Sequence, residues 1–161
     1  VVSFVVWSMT LFFEDFTLGP FGRFGPCHVS REDIIAFASE FDAQPMHLDE
    51  AAAKRSLLKG LAGSGWHLCA IVSRMSHDGF LHRTAVLGSP GVDEVKWLSP
   101  LRPGDDLTLD VAIERCLLSR SLPDRGEVHL VETISNAAGQ TLLSLRMPLT
   151  VRRRGIAGAG S

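Results

Sequence analysis

The stretch Trp66–Met75, WHLCAIVSRM, contains a single charged residue, Arg74, and is apolar on nearly every helical face. A helix of this composition is normally buried on all sides. The stretch follows a glycine-rich segment with Gly60, Gly63 and Gly65, and because no Gly-Lys-Ser/Thr sequence comes next, these glycines do not form a phosphate-binding loop. The sequence therefore predicts one central helix that the rest of the chain surrounds.

The second half of the chain supplies the surroundings of that helix. Apolar residues recur at every second position in Leu107–Ile113 and Leu143–Val151, and Val128, Leu130 and the later Ile134 follow the same spacing. This period of two predicts half-buried antiparallel strands. Shorter strands are predicted at Ala85–Leu87 and Asp93–Leu98.

Two further segments carry prolines that constrain the predicted strands. Phe21–Val29 is predicted to be extended but interrupted by Gly25 and Pro26. Pro148 lies within the last alternating segment, and a proline cannot donate to a strand ladder. We therefore predict that the last strand lies at a sheet edge or is broken at Pro148.

The first half of the chain is predicted to be helical before the glycine-rich segment. Ser30 and Asp33 resemble a capping box, and the apolar spacing that follows predicts a helix to about Phe41. Pro45 prevents that helix from continuing. A second short helix is predicted over Asp49–Arg55, where the acidic residues favour a helix N-terminus.

Helices followed by a run of strands indicate an α+β fold, with a central buried helix wrapped by a curved antiparallel β-sheet. At 161 residues the chain is long enough for one domain with its own core. We expect residues 10–154 to form this domain. Residues 1–9 are expected to be extra residues outside the fold, and residues 155–161 a flexible tail.

Asp42 and His47 are the residues most suited to chemistry. They are five positions apart with Pro45 between them, so a turn at the proline can direct both side chains into one pocket. A carboxylate can orient or deprotonate water, and an imidazole titrates near neutral pH. Taken singly, Asp42 could instead end a helix, and His47 could be an ordinary loop histidine.

The segment around this pair, Asp42-Ala43-Gln44-Pro45-Met46-His47-Leu48-Asp49, resembles the hydratase motif of MaoC-like proteins, which include the R-specific enoyl-CoA hydratases. Three other segments are similar to the family. Ser64–Trp66 matches the start of the central helix, Val95–Asp105 matches a strand with its Pro and Gly-Asp turn, and Phe13–Gly19 matches the family near the N-terminus. The resemblance covers about residues 10–151 and implies a single hot-dog domain.

The resemblance also implies roles for individual residues. Asp42 and His47 would be the acid/base pair, the Gly65 N–H would bind the thioester oxygen, and Ser73 would orient Asp42. Residues expected to contact substrate are Gln44, Pro45, Ser64 and Trp66. Gln44 stands where the family has asparagine, Phe41 where it has a small residue, and Ser64 where it has histidine, so the substrate pocket should differ from that of the family.

The implied activity is hydration of an enoyl thioester or dehydration of a 3-hydroxyacyl thioester, with coenzyme A as part of the substrate and no other cofactor or metal. A homodimer or higher homo-oligomer is expected, because hot-dog proteins of this type pair and because pairing covers strand edges. Two alternatives stay open: a hot-dog acyl-CoA thioesterase, and a non-catalytic acyl-thioester-binding domain.

Composition narrows the possible partners and compartment. The formal net charge is −2, which gives no basic excess for nucleic acid. No stretch approaches the ~20 apolar residues of a membrane helix. Cys27, Cys69 and Cys116 form no CxxC pair, which favours free thiols in a cytoplasmic protein. Arg152–Arg154 would suit the phosphates of coenzyme A by charge, although a solvated terminal cluster is the simpler interpretation.

Overall fold

The computed structural model describes residues 9–155. Its α-helices are α1 (Arg31–Phe41), α2 (Pro45–Leu48), α3 (Glu50–Arg55) and α4 (Gly65–Gly79). Its strands are β1 (Gly19–Val29), β2 (Val86–Gly88), β3 (Glu94–Trp97), β4 (Asp105–Leu118), β5 (Arg125–Asn136) and β6 (Thr141–Arg152). Short 3₁₀ turns at Phe13–Asp15 and Leu81–Arg83 complete the regular structure.

The strands form one antiparallel sheet in the order β1-β4-β5-β6-β2, and β3 also pairs with β6. Helix α4 packs against this sheet and buries Leu68, Ile71, Val72 and Met75. These side chains join one continuous core with the inward-facing residues of β4, β5 and β6. The α+β prediction, with a central helix against an antiparallel sheet, is confirmed.

Most predicted elements lie where the sequence pattern placed them, but three differ. Helix α4 continues to Gly79, one turn beyond Met75. Strand β1 runs through Gly25 and Pro26 without ending, because a register irregularity between Phe24 and Cys27 accommodates them. Pro45 does not only interrupt α1: it begins α2, since a proline at the first helical position lacks an N–H that would be unpaired there anyway.

The prediction that β6 lies at an edge or is broken at Pro148 is wrong. Strand β6 is continuous and has neighbours on both sides. On one side Pro148 pairs with His129 of β5. On the other side it falls between the end of the β3 pairing at Arg146 and the start of the β2 pairing at Thr150, so no ladder bond requires its missing N–H.

The remaining predictions concern the chain ends and the membrane. Residues 1–8 and 156–161 lie outside the described residues, and the expectations for residues 1–9 and 155–161 therefore stay predictions. Near the beginning of the described part, Leu11 forms an isolated β-bridge with Thr84.

Between residues 9 and 155, no helix has both the length and the apolar character needed to cross a membrane.

Candidate active site

A cavity of about 400 Å³ opens at the N-terminal end of α4. Its walls come from the segment after α1, from the residues around the start of α4, and from the end of β3 with the segment that follows it. The residues from these three segments that line it include Asp42, Gln44, His47, Gly63, Ser64, Gly65, Trp66, Trp97, Leu98 and Ser99. Asp42, His47 and Gly65 thus line one cavity.

Asp42 is positioned by the end of α1. It is the C-cap residue of that helix, and its backbone N–H donates to Ala38 O at 2.9 Å. The capping interpretation and the functional one are therefore compatible. Gln44 Nε2 donates to Asp42 Oδ1 at 2.8 Å. Hydrogen bonding from the Ser64 side chain, and secondarily from Gln44, lowers the pKa of Asp42, so the carboxylate is the stable form at neutral pH.

His47 is buried on α2, with 7% of its surface exposed. Its Nδ1 lies 2.7 Å from Ala62 O. Because a carbonyl oxygen can only accept, Nδ1 must carry the proton of this hydrogen bond. In the neutral imidazole, Nε2 is then an unprotonated acceptor that faces Asp42.

The atoms His47 Nε2 and Asp42 Oδ2 are 3.6 Å apart, which is too long for a direct hydrogen bond. With a neutral imidazole and an ionised carboxylate, both atoms are acceptors. A molecule with two O–H donors, such as water, satisfies both at once. The geometry is therefore suited to orienting water and accepting one of its protons.

Gly65 is the first residue of α4, so its N–H has no acceptor within the helix and lies at the positive end of the helix dipole. Ser64 caps the helix by accepting a hydrogen bond from Trp66 N at 3.1 Å. The indole Nε1 of Trp97 donates to Gly65 O at 2.9 Å. A Cβ atom on Gly65 would come within 2.6 Å of the Trp97 ring, so the close approach of the two residues requires glycine.

The segment before Gly65 is held by a single guanidinium group. Arg102 donates from Nη1 to the carbonyl oxygens of Gly60, at 2.8 Å, and Leu61, at 3.1 Å, and from Nη2 to that of Leu58. Gly63 N also donates to Leu101 O at 2.9 Å. These bonds satisfy backbone groups of a segment that belongs to no helix or strand.

The other predicted site residues fall in different places. Gln44, Ser64 and Trp66 line the cavity, whereas Pro45 is exposed at the start of α2 and does not line it. Ser73 lies two turns further along α4, is exposed, and lines a second cavity instead. The serine that lowers the pKa of Asp42 is Ser64, and Ser73 does not line the cavity that holds Asp42, so the orienting role of Ser73 stays a prediction.

The basic cluster Arg152–Arg154 is partly neutralised by acidic groups. Arg153 Nε lies 3.0 Å from Glu14 Oε1, and Arg154 Nη2 lies 2.5 Å from Asp15 Oδ2. The solvated-cluster interpretation therefore suits these two arginines better than a phosphate site does.

Sequence reasoning did not assign Trp97 and Arg102 to the site, although both fall in the segment Val95–Asp105 that resembles the family. Their contacts run to backbone carbonyls 32 to 44 residues away. Such long-range contacts leave no local spacing signal. The family resemblance was the one available indication that this segment mattered.

Comparisons with known proteins agree with this architecture. A family model described as MaoC like domain matches residues 19–132. The uncharacterized protein YdeM of Bacillus subtilis (strain 168) is 29% identical over 127 residues, covering 79% of this chain and 86% of the relative.

Solved structures are similar as well. A MaoC-like dehydratase from Rhodospirillum rubrum is 39% identical, with a TM-score of 0.81, covering 91% of this chain and 99% of that one. The R-hydratase PhaJ1 from Pseudomonas aeruginosa is 18% identical, with a TM-score of 0.71 and coverage of 94% and 95%, and supports the hot-dog fold alone. The protein is a hot-dog protein and belongs to the MaoC-like domain family.

Proposed function

We propose that this protein is a hydro-lyase that adds water to the double bond of an enoyl thioester, or removes it from a 3-hydroxyacyl thioester. The observation that carries the proposal is the placement of Asp42, His47 and the Gly65 N–H around one cavity. The 39% identical relative is a MaoC-like dehydratase, which supports the same class of reaction.

The first step of the proposed reaction activates water. A water molecule between Asp42 Oδ2 and His47 Nε2 would donate one O–H to each. As its oxygen bonds to the β-carbon, one water proton passes to the pair, and the electrons of the double bond move toward the thioester carbonyl. The pair then returns a proton to the α-carbon, so that one water is added in total.

Negative charge on the thioester oxygen develops only as water adds. The Gly65 N–H is fixed by α4 and lies at the positive end of the helix dipole, so it suits that oxygen better in the transition state than in the ground state. We assign Gly65 as the oxyanion donor. Ser64 and Gln44 hold Asp42 in place and stabilise its ionised form.

The substrate would be a coenzyme A or carrier-protein thioester, with no further cofactor. The exposed aromatic residues at the rim, Trp66 at 60% and Trp97 at 49%, stand edge to face with ring centroids 5.4 Å apart. Apolar surface of this kind beside a cavity suits a ligand or a second protein chain. We propose that a second copy of the chain completes this rim in a homodimer.

Turnover against a panel of enoyl-CoA and 3-hydroxyacyl-CoA thioesters tests the proposal. Mass spectrometry should show gain or loss of one water with the thioester intact. Release of free thiol would instead indicate the thioesterase alternative. Binding without either reaction would indicate the non-catalytic domain. The two-acceptor arrangement of Asp42 and His47 supports a reaction of water over the non-catalytic alternative, and the 39% identical MaoC-like dehydratase supports hydration over hydrolysis.

A further inference from the structure

A second cavity, of about 410 Å³, lies between α4 and the inner face of the sheet. Trp66 lines both this cavity and the candidate active site, so the two are adjacent along the helix. Most of its wall is apolar, from Val72, Leu130, Leu145 and Met147. Such a wall suits a hydrocarbon chain.

One wall residue does not fit an apolar lining. Glu132 occupies an inward-facing position of β5, between Leu130 and Ile134, and is only 1% exposed. Its Oε1 accepts a hydrogen bond from Ser76 Oγ on α4. Its Oε2 has no hydrogen-bond partner within residues 9–155. A buried oxygen without a partner costs free energy, which a ligand group can recover.

The Glu132 carboxyl group meets α4 at Ser76, far from Gly65 and the reacting atoms. Ser76 follows Gly65 by eleven residues, which corresponds to about 16 Å along a helix. A thioester carbonyl bound at Gly65 would therefore direct only the distal part of an extended acyl chain toward Ser76 and Glu132.

The chemistry of the site favours a hydroxyl group. Burial raises the pKa of Glu132 to about 7, against the opposing effect of the Ser76 hydrogen bond, so both protonation forms are accessible at neutral pH. A hydroxyl group can donate to the ionised form and accept from the protonated form. The other titratable residues facing this cavity are Cys69, Asp93 and Glu94, and no basic side chain lines it within the described chain, which disfavours a carboxylate.

We propose that Glu132 and Ser76 form a specificity subsite for a hydroxyl group on the distal part of the acyl chain. The subsite proposal rests on the proposed function in one respect, namely that the ligand is an acyl thioester. The substrate class is then an acyl thioester that carries a distal hydroxyl group, rather than one with an unsubstituted hydrocarbon chain.

The test compares binding of saturated thioesters, which cannot be hydrated. Titration calorimetry on the wild-type protein would use octanoyl-, decanoyl- and dodecanoyl-coenzyme A, each with and without a terminal hydroxyl group. We expect one hydroxylated chain length to bind about tenfold more tightly than its unsubstituted partner, as one recovered buried hydrogen bond allows. The ω-amino and ω-carboxy analogues should bind less tightly than the hydroxylated chain.

Variants separate the subsite from the rest of the protein. Glu132→Leu should abolish the preference for the hydroxyl group and leave affinity for the unsubstituted chain unchanged or higher. The double variant Ser76→Ala/Glu132→Gln is a second test, in which the volumes of the two side chains change little. Glu127→Gln, on the outer face of β5, is the matched control and should keep the preference.

Any one of three results would overturn the subsite. The wild type could bind the hydroxylated and unsubstituted thioesters equally, the preference for the hydroxyl group could survive Glu132→Leu, or the ω-amino or ω-carboxy analogue could bind more tightly than the hydroxylated thioester. None of these depends on turnover. If the preference holds but no enoyl thioester is hydrated, the proposed function fails and the subsite stands. If hydration occurs without any preference, the subsite alone fails.

Discussion

The indole of Trp97 lies directly over Gly65, and its Nε1 donates to Gly65 O at 2.9 Å. A side chain on Gly65 would therefore meet the tryptophan ring before it met any substrate. This contact changes how the oxyanion assignment must be tested.

Gly65→Val is expected to lower kcat ~10²-fold or more, because it crowds the approach to an oxyanion donor. The variant must also displace Trp97, so its melting temperature should be measured beside kcat. The double variant Gly65→Ala with Trp97→Ala removes the clash and isolates the effect on the oxygen site. A kcat retained per folded molecule would show that Gly65 serves packing alone.

Asp42→Asn and His47→Ala are each expected to reduce hydration ~10²–10⁴-fold, the usual contribution of a positioned acid/base group. Folding should change little, as circular dichroism and thermal melting would show. Asp78→Asn is a suitable control, because Asp78 is an exposed partner of Arg74 away from the cavity. Near-normal turnover in both site variants would exclude the pair from the mechanism.

Ser64→Ala should move the acid limb of the kcat/KM profile to higher pH. The Ser64 hydrogen bond lowers the pKa of Asp42, so its loss raises that pKa. If the carboxylate is the active form, activity is lost as the pH falls through this pKa. A higher pKa therefore means that the loss begins at a higher pH. A comparable shift in Ser73→Ala, with none in Ser64→Ala, would return the orienting role to Ser73.

Glu132 should make the protein less stable as pH rises, relative to Glu132→Gln. Its folded pKa, about 7, lies above the ordinary value of 4.5, so the folded state holds the proton more tightly. The stabilisation from this proton is fully present below pH 4.5, the pKa in the unfolded chain. As the pH rises to the folded pKa of about 7, the free energy of unfolding of the wild type falls by up to about 3 kcal/mol relative to that of the variant. Urea unfolding of both proteins across this range measures the difference, and a pH-independent difference would contradict it.

Sedimentation at micromolar concentration should give at least twice the monomer mass of 17.5 kDa. The reason is the exposed apolar rim of the cavity, to which Leu98 adds a side chain that is 55% exposed. Leu98→Asp should weaken the association, since it would place a charge in an apolar contact. A monomeric wild type would exclude the proposed dimer.

The fold could be predicted from the sequence largely because its core positions follow simple periods. The nearly uncharged stretch Trp66–Met75 identified the central helix, and the alternation in β5 and β6 identified the sheet that it packs on. Pro148 misled the prediction, because a proline is acceptable wherever the neighbouring ladder has a gap, and the sequence does not show where two partner strands leave one.

The site could be predicted only in part. Asp42, His47 and Gly65 followed from the motif, but the partner of Asp42 did not. The family resemblance implies that Ser73 orients Asp42, whereas Ser64, the N-cap residue of α4, is the serine that lowers the pKa of Asp42, and Ser73 lies two turns further along the helix. Alternation along β5 predicts that position 132 faces inward, but it does not show whether a polar group there has a partner.

The guanidinium of Arg102 has a consequence for ligand association. By holding the carbonyl oxygens of Leu58, Gly60 and Leu61, it fixes the glycine-rich segment in the free protein. The conformational entropy of that segment is then lost once, during folding, and not again at each binding event. A preorganised cavity of this kind can bind and release many ligands in succession without reordering its backbone.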